Sequence, residues 1–135
     1  MVQNNYTHVI RLKPGMDIKK SIQEYVVQNN IQAGWILTCV GSLTHYNLRF
    51  ANQASTQSDS GHFEIVSLTG TLSSNGSHLH MALSDSTGMT FGGHLSEGNI
   101  VYTTAEIVFQ SSNEIVFKRE KDGSTPWQEL QIEHK

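Results

Sequence analysis

The chain has 135 residues, and its nine Lys and Arg against twelve Asp and Glu leave a formal net charge of −3. That length fits one domain over residues 1–135, able to bury about two-thirds of its unfolded surface without disulfides. The charge argues against a strong intrinsic duplex-DNA binder, because non-specific affinity needs a concentrated basic face. Here the one basic cluster, Lys118-Arg119-Glu120-Lys121, is partly cancelled by acidic neighbours.

In chain order, Tyr6 to Leu12 alternates and is rich in β-formers, predicting a first strand. Lys13-Pro14-Gly15-Met16 punctuates, and Asp17 is a good N-cap for a helix from Ile18 to about Gln28. Ile18, Ile22, Tyr25 and Val26 recur there at helical spacing, and Asn29-Asn30 ends the pattern. Ala33 to Val40 is nearly continuous in apolar residues and reads as a central strand buried on both faces. It contains the lone cysteine, Cys39, expected to be a buried small hydrophobe rather than a reactive thiol. A single cysteine suits a reducing, cytoplasmic setting. The polar start from Met1 to Tyr6 has no signal-peptide h-region, and no apolar run approaches the ~18 residues of a membrane span.

Tyr46 to Ala51 predicts a short strand, and Asn52 to Ser60 a mobile polar loop. Strands follow at Gly61 to Leu72 and Ser77 to Leu83, with Asn75-Gly76 as the hairpin signal between them. After the turn Asp85 to Gly88, Met89 to Phe91 reads as a short strand. Ile100 to Gln110 and Glu114 to Arg119 read as a further hairpin through Ser111-Ser112-Asn113, and Leu130 to Ile132 as a last edge strand. Hairpins plus one early helix predict an α+β domain, mainly antiparallel sheet with one amphipathic helix near the N-terminus.

The chemistry concentrates in His78-Leu79-His80 and Gly92-Gly93-His94. Leu79, Met81 and Leu83 fall on one strand face and must pack inward, so His78 and His80 share the outward face. The two glycines permit a tight bend and a close backbone approach just before the third imidazole. A strand, turn and return strand between His80 and His94 bring it beside the pair. Three neutral imidazoles with an open fourth position are one form of catalytic zinc site. Ordinary surface histidines on a half-buried sheet fit the same pattern, and spacing alone leaves both readings open.

Fourth-group and catalytic candidates are Glu64, Glu106 and Asp85. Glu106 lies in an otherwise apolar strand, where a buried carboxylate needs a partner; the alternative is that it faces solvent with Tyr102 and Thr104. Arg49, between Leu48 and Phe50, is either an anion-binding guanidinium or half of a surface salt bridge. No phosphate-binding glycine loop opens a helix, and neither Gly-x-Ser-x-Gly nor Cys-x-x-Cys occurs.

Nearly the whole chain resembles the plants-and-prokaryotes-conserved (PPC) domain family. The resemblance runs through Arg11-Leu12-Lys13-Pro14-Gly15, Ala33-Gly34-Trp35-Ile36, Val40-Gly41-Ser42-Leu43 and Gly61 to Leu72. It is most specific at Gly76-Ser77-His78-Leu79-His80, Gly92-Gly93-His94-Leu95 and Thr103-Thr104-Ala105-Glu106-Ile107. It implies a compact α+β homotrimer, with a divalent metal, zinc foremost, on the residues matching His78, His80 and His94. It also implies a DNA-associated or regulatory role. In plant members that role accompanies AT-hook segments, and this chain has no Arg-Gly-Arg-Pro hook, so that DNA-binding mode does not carry over. Where plant members carry Arg in the partner-binding segment, this chain has His62. The fold also resembles that of acetolactate decarboxylase, a zinc-histidine enzyme. This keeps open a zinc-dependent lyase or hydrolase acting on a small carboxylate or ester, with Glu64 or Glu106 as base and Arg49 as anchor. A structural metal stapling the trimer is the third expectation.

Overall fold

The computed structural model describes residues 4–135. A helix, α1 (Ile18–Gln28), begins at Asp17, whose Oδ1 accepts the Lys20 N–H at 3.0 Å while Oδ2 accepts the Gly98 N–H at 2.7 Å. The first bond satisfies an orphan amide of the opening turn, and the second ties the helix to a distant loop. Ile18, Ile22 and Val26 are fully buried, with Tyr25 packed beside them, as the helical spacing requires.

Strands β1 (Asn5–Leu12), β2 (Gly34–Arg49), β3 (Gln57–Leu72), β4 (His78–Ser84), β5 (Thr90–Leu95) and β6 (Ile100–Ser112) form one antiparallel sheet in the order β1-β6-β2-β3-β4-β5. β5 also pairs back onto the end of β2, so β2 to β5 close a ring. Inside it pack Leu43, Leu48, Phe63, Met81, Leu83 and Leu95. Burying each of these large side chains contributes roughly 1.5–3 kcal/mol, which holds the ring shut. Strands β7 (Ile115–Glu120) and β8 (Glu129–His134) form a separate two-stranded sheet. No helix among the described residues is long and apolar enough to cross a membrane.

Several expectations are corrected. The expected strands Ala33–Val40 and Tyr46–Ala51 merge into one strand, β2 (Gly34–Arg49), which runs unbroken through Gly41 and leaves Ala33, Phe50 and Ala51 outside it. A Cβ at Gly41 would stand 2.2 Å from the Thr104 carbonyl oxygen, so this glycine lets β6 approach and does not turn the chain. Nor is β2 buried on both faces, since Leu37 and Val40 are exposed. The loop expected over Asn52–Ser60 ends earlier, because Gln57 to Ser60 continue β3 against Leu48 to His45. Backbone pairing there overrides polar composition. Gly92 and Gly93 lie inside β5 and make no bend. The hairpin expected between Ile100–Gln110 and Glu114–Arg119 does not form. β6 has β1 on one edge and β2 on the other, so β7 turns away and pairs with β8.

Cys39 is 8% exposed, and burial first, then the nearby Glu106 carboxylate, pushes its thiol up to about 12. It is a core residue.

Candidate metal centre

Strand register builds the site. In β4, Leu79, Met81 and Leu83 are buried and His78 and His80 point out. His80 pairs directly with His94 on β5, and His94 pairs with Arg49 on β2. On the other side His80 faces Thr69 and His78 faces Thr71 on β3. Arg49, His94, His80 and Thr69 therefore form one row across the closed ring.

Glycines set how tightly that row draws together. A Cβ at Gly93 would lie 2.6 Å from the Arg49 carbonyl oxygen, and one at Gly92 would lie 2.6 Å from that of Met81. Gly70, between Thr69 and Thr71, has φ +145° and leaves a Cβ only 2.0 Å from the His78 carbonyl oxygen. Only glycine fits at these contacts without moving a strand.

The result is a cluster in which one ring nitrogen from each of His78, His80 and His94 lies within 4.8 Å of the others. The Nε2 atoms of His78 and His80 are 3.2 Å apart. Two imidazoles on one tetrahedral zinc, bonded at ~2.05 Å, would be separated by about 3.3 Å. One edge of the cluster already has that length, and modest side-chain rotation shortens the longer edges. His94 Nδ1 is buried without a hydrogen-bond partner, a loss that ligation would offset. Burial, then His78 and then Arg49, holds the His94 imidazole down to about 4, and burial and His80 lower His78. Both are therefore neutral near pH 7, the form that binds metal. Residues and group fit.

His78 and His94 open onto a cleft of about 650 Å³ lined also by Arg49, Ser77, Arg119, Lys121 and the segment Pro126 to Glu129. Of the expected catalytic candidates, Arg49 alone reaches it. Its Nη1 donates to the Gln53 carbonyl at 3.3 Å, and among the described residues no carboxylate pairs with it. Glu64 pairs in register with Ser84 and Ser42, about 16 Å along β3 from Thr69, and lines a different cleft with Asp85. The Asp85 carboxylate accepts from Thr87 and Met89 in its own turn. Glu106 is exposed and accepts from Thr104 Oγ1 at 3.1 Å. The carboxylate at the imidazole cleft is instead Glu129.

Arg119, Trp127 and Glu129 escape sequence reasoning. Arg119 sits in the basic cluster that acidic neighbours partly cancel, and Trp127 is a lone aromatic among Ser, Thr and Pro. A Trp beside Pro in a polar stretch was the available signal.

Over residues 2–113 the chain matches the family model of the Plants and Prokaryotes Conserved (PCC) domain. It is 44% identical over 124 residues to a bifunctional protein GlmU of Synechococcus sp. (strain JA-3-3Ab), matching 92% of this chain but only a fifth of that protein's length. A hypothetical protein from Salmonella enterica superposes with TM-score 0.95 at 38% identity, over 100% of this chain and 98% of its own. A candidate DNA-binding protein from Bacteroides thetaiotaomicron (TM-score 0.78, 22% identity, 99% of this chain and 94% of that one) shares the fold. So does a metal-containing protein from Archaeoglobus fulgidus (TM-score 0.76, 24% identity, 93% of each chain). Both the sequence match and the closed sheet say the same thing: this chain belongs to the Plants and Prokaryotes Conserved domain family.

Proposed function

We propose that the chain binds a divalent metal, zinc foremost, on His78, His80 and His94, and presents it to a small-molecule cleft in a homotrimer of regulatory role. The observation that carries this reading is the convergence of three ring nitrogens within 4.8 Å, two of them 3.2 Å apart. A metal-containing relative of the same fold supports it. When bound, the metal supplies Lewis acidity and a site for water or an oxygen ligand. The chain's own residues do the rest. β4 and β5 hold the imidazoles, burial keeps His94 unprotonated, and Arg49 places positive charge beside the cleft.

Zinc calorimetry on chelator-stripped protein tests the site. One zinc per chain is expected, with affinity falling at least about 100-fold in His78→Ala. Equal affinity in the variant would remove His78 as a ligand.

A second reading, a zinc-dependent lyase or hydrolase of small carboxylates or esters, is favoured by a cleft that reaches His78 and His94. Turnover abolished by chelator and restored by zinc distinguishes it from a regulatory site. A DNA-associated role rests on the family and on the Bacteroides relative. Against a net charge of −3, mobility shifts over a salt series decide it: absent duplex binding at low salt rules out direct recognition.

A further inference from the structure

The family match ends at residue 113, yet the β7–β8 hairpin beyond it supplies much of the wall of the imidazole cleft. Arg119 comes from β7, Lys121 and Pro126 to Gln128 from the connection, and Glu129 from the start of β8. Arg119 is anchored to β3 beside the imidazoles, one same-face pair along from the Thr69–His80–His94 row. Its Nη2 donates to Thr71 Oγ1 at 2.8 Å, and Thr71 is the register partner of His78. Its Nε is buried with no acceptor.

Charge around the cleft is unbalanced. Among the described residues the one ion pair is Lys118–Glu133, so Arg49, Arg119 and Lys121 have no carboxylate within 4 Å. Glu129 is the single acidic residue lining the cleft against those three cations. Adding a divalent ion would deepen the excess. Such a cleft favours an anion, and a guanidinium fork matches an oxyanion in geometry as well as charge. Trp127, 67% exposed at the rim, offers an apolar plate to the rest of such a ligand.

We propose that Arg49 and Arg119 clamp a small oxyanion-bearing ligand, a carboxylate or phosphate, in the cleft beside His78 and His94, with the C-terminal hairpin as the specificity wall. The clamp rests on the metal reading for its full strength, since one ligand oxygen would reach the ion while the others meet the arginines.

The test uses the full chain loaded with cobalt(II), whose visible absorption reports the ion's coordination, while Trp127 fluorescence reports the cleft. Glycolate and inorganic phosphate are titrated separately at constant ionic strength into wild type, Arg49→Gln, Arg119→Gln and Arg119→Lys. Trp127→Phe assigns the fluorescence change. A saturable response to at least one anion is expected, weakened about tenfold or more in each Gln variant and less in Arg119→Lys, with cobalt content unchanged. Response to phosphate alone keeps the clamp and assigns it to phosphoryl ligands. Equal dissociation constants in wild type and all variants, or no saturable response, overturn the proposal. If cobalt does not bind, the metal reading falls instead. The fluorescence titration of metal-free protein then judges the clamp by the same variants, and circular dichroism confirms that each retains its fold.

Discussion

His94 carries the heaviest constraints of the three imidazoles. It is register-paired with both His80 and Arg49, and its Nδ1 is buried without a partner. Its folded value, about 4, lies below the ordinary 6.5, chiefly through burial. The unfolded chain therefore binds more protons than the folded one in that interval. His94's contribution to stability is complete above about pH 6.5 and lost as pH falls through about 4. Metal-free protein should show a urea midpoint that falls from pH 7 to pH 4.5, with a shallower fall in His94→Leu. Parallel profiles would mean that His94 titrates normally.

Among the elements, the β3–β4–β5 unit has the site written into its spacing, and its glycines are the most sensitive points. Gly70→Ala forces a positive φ on alanine and drives a Cβ into the His78 carbonyl. A stability loss of about 2–4 kcal/mol is expected from strain and overpacking together. Zinc affinity should fall with it because His78 moves, and denaturant melts beside zinc calorimetry check both. The alternation of Leu79, Met81 and Leu83 made the outward face of His78 and His80 legible in the sequence, and helical spacing did the same for Ile18, Ile22 and Val26. The route of β6 was not legible. Its pairing with β1 and β2 is non-local, and nothing in Ser111-Ser112-Asn113 distinguishes a hairpin turn from a departure. For the same reason the place of Arg119 is not legible in the sequence. Its link to His78 runs through Thr71, 48 residues away in sequence.

The molecule as a whole leaves apolar strand residues uncovered. Val9, Leu37, Val40, Val66 and Tyr102 are exposed, although α1 and the sheet bury an extensive core elsewhere. Neighbouring apolar side chains left in water favour association. The trimer proposed above would cover them, and light scattering should give three times the 15.0 kDa chain mass. Val40→Asp combined with Val66→Asp should lower that mass; a wild-type monomer at micromolar concentration would end the trimer reading. The metal site, built within one chain, should survive in such a monomer.

On the proposed reading, three imidazoles from β4 and β5 hold one ion. Anomalous diffraction at the zinc edge from zinc-loaded crystals decides between occupancy and its absence. One peak is expected about 2.1 Å from a ring nitrogen of each of His78, His80 and His94, with its fourth side facing the Arg49 and Arg119 cleft. At full zinc loading, no peak there, or a peak held by other residues, would contradict it.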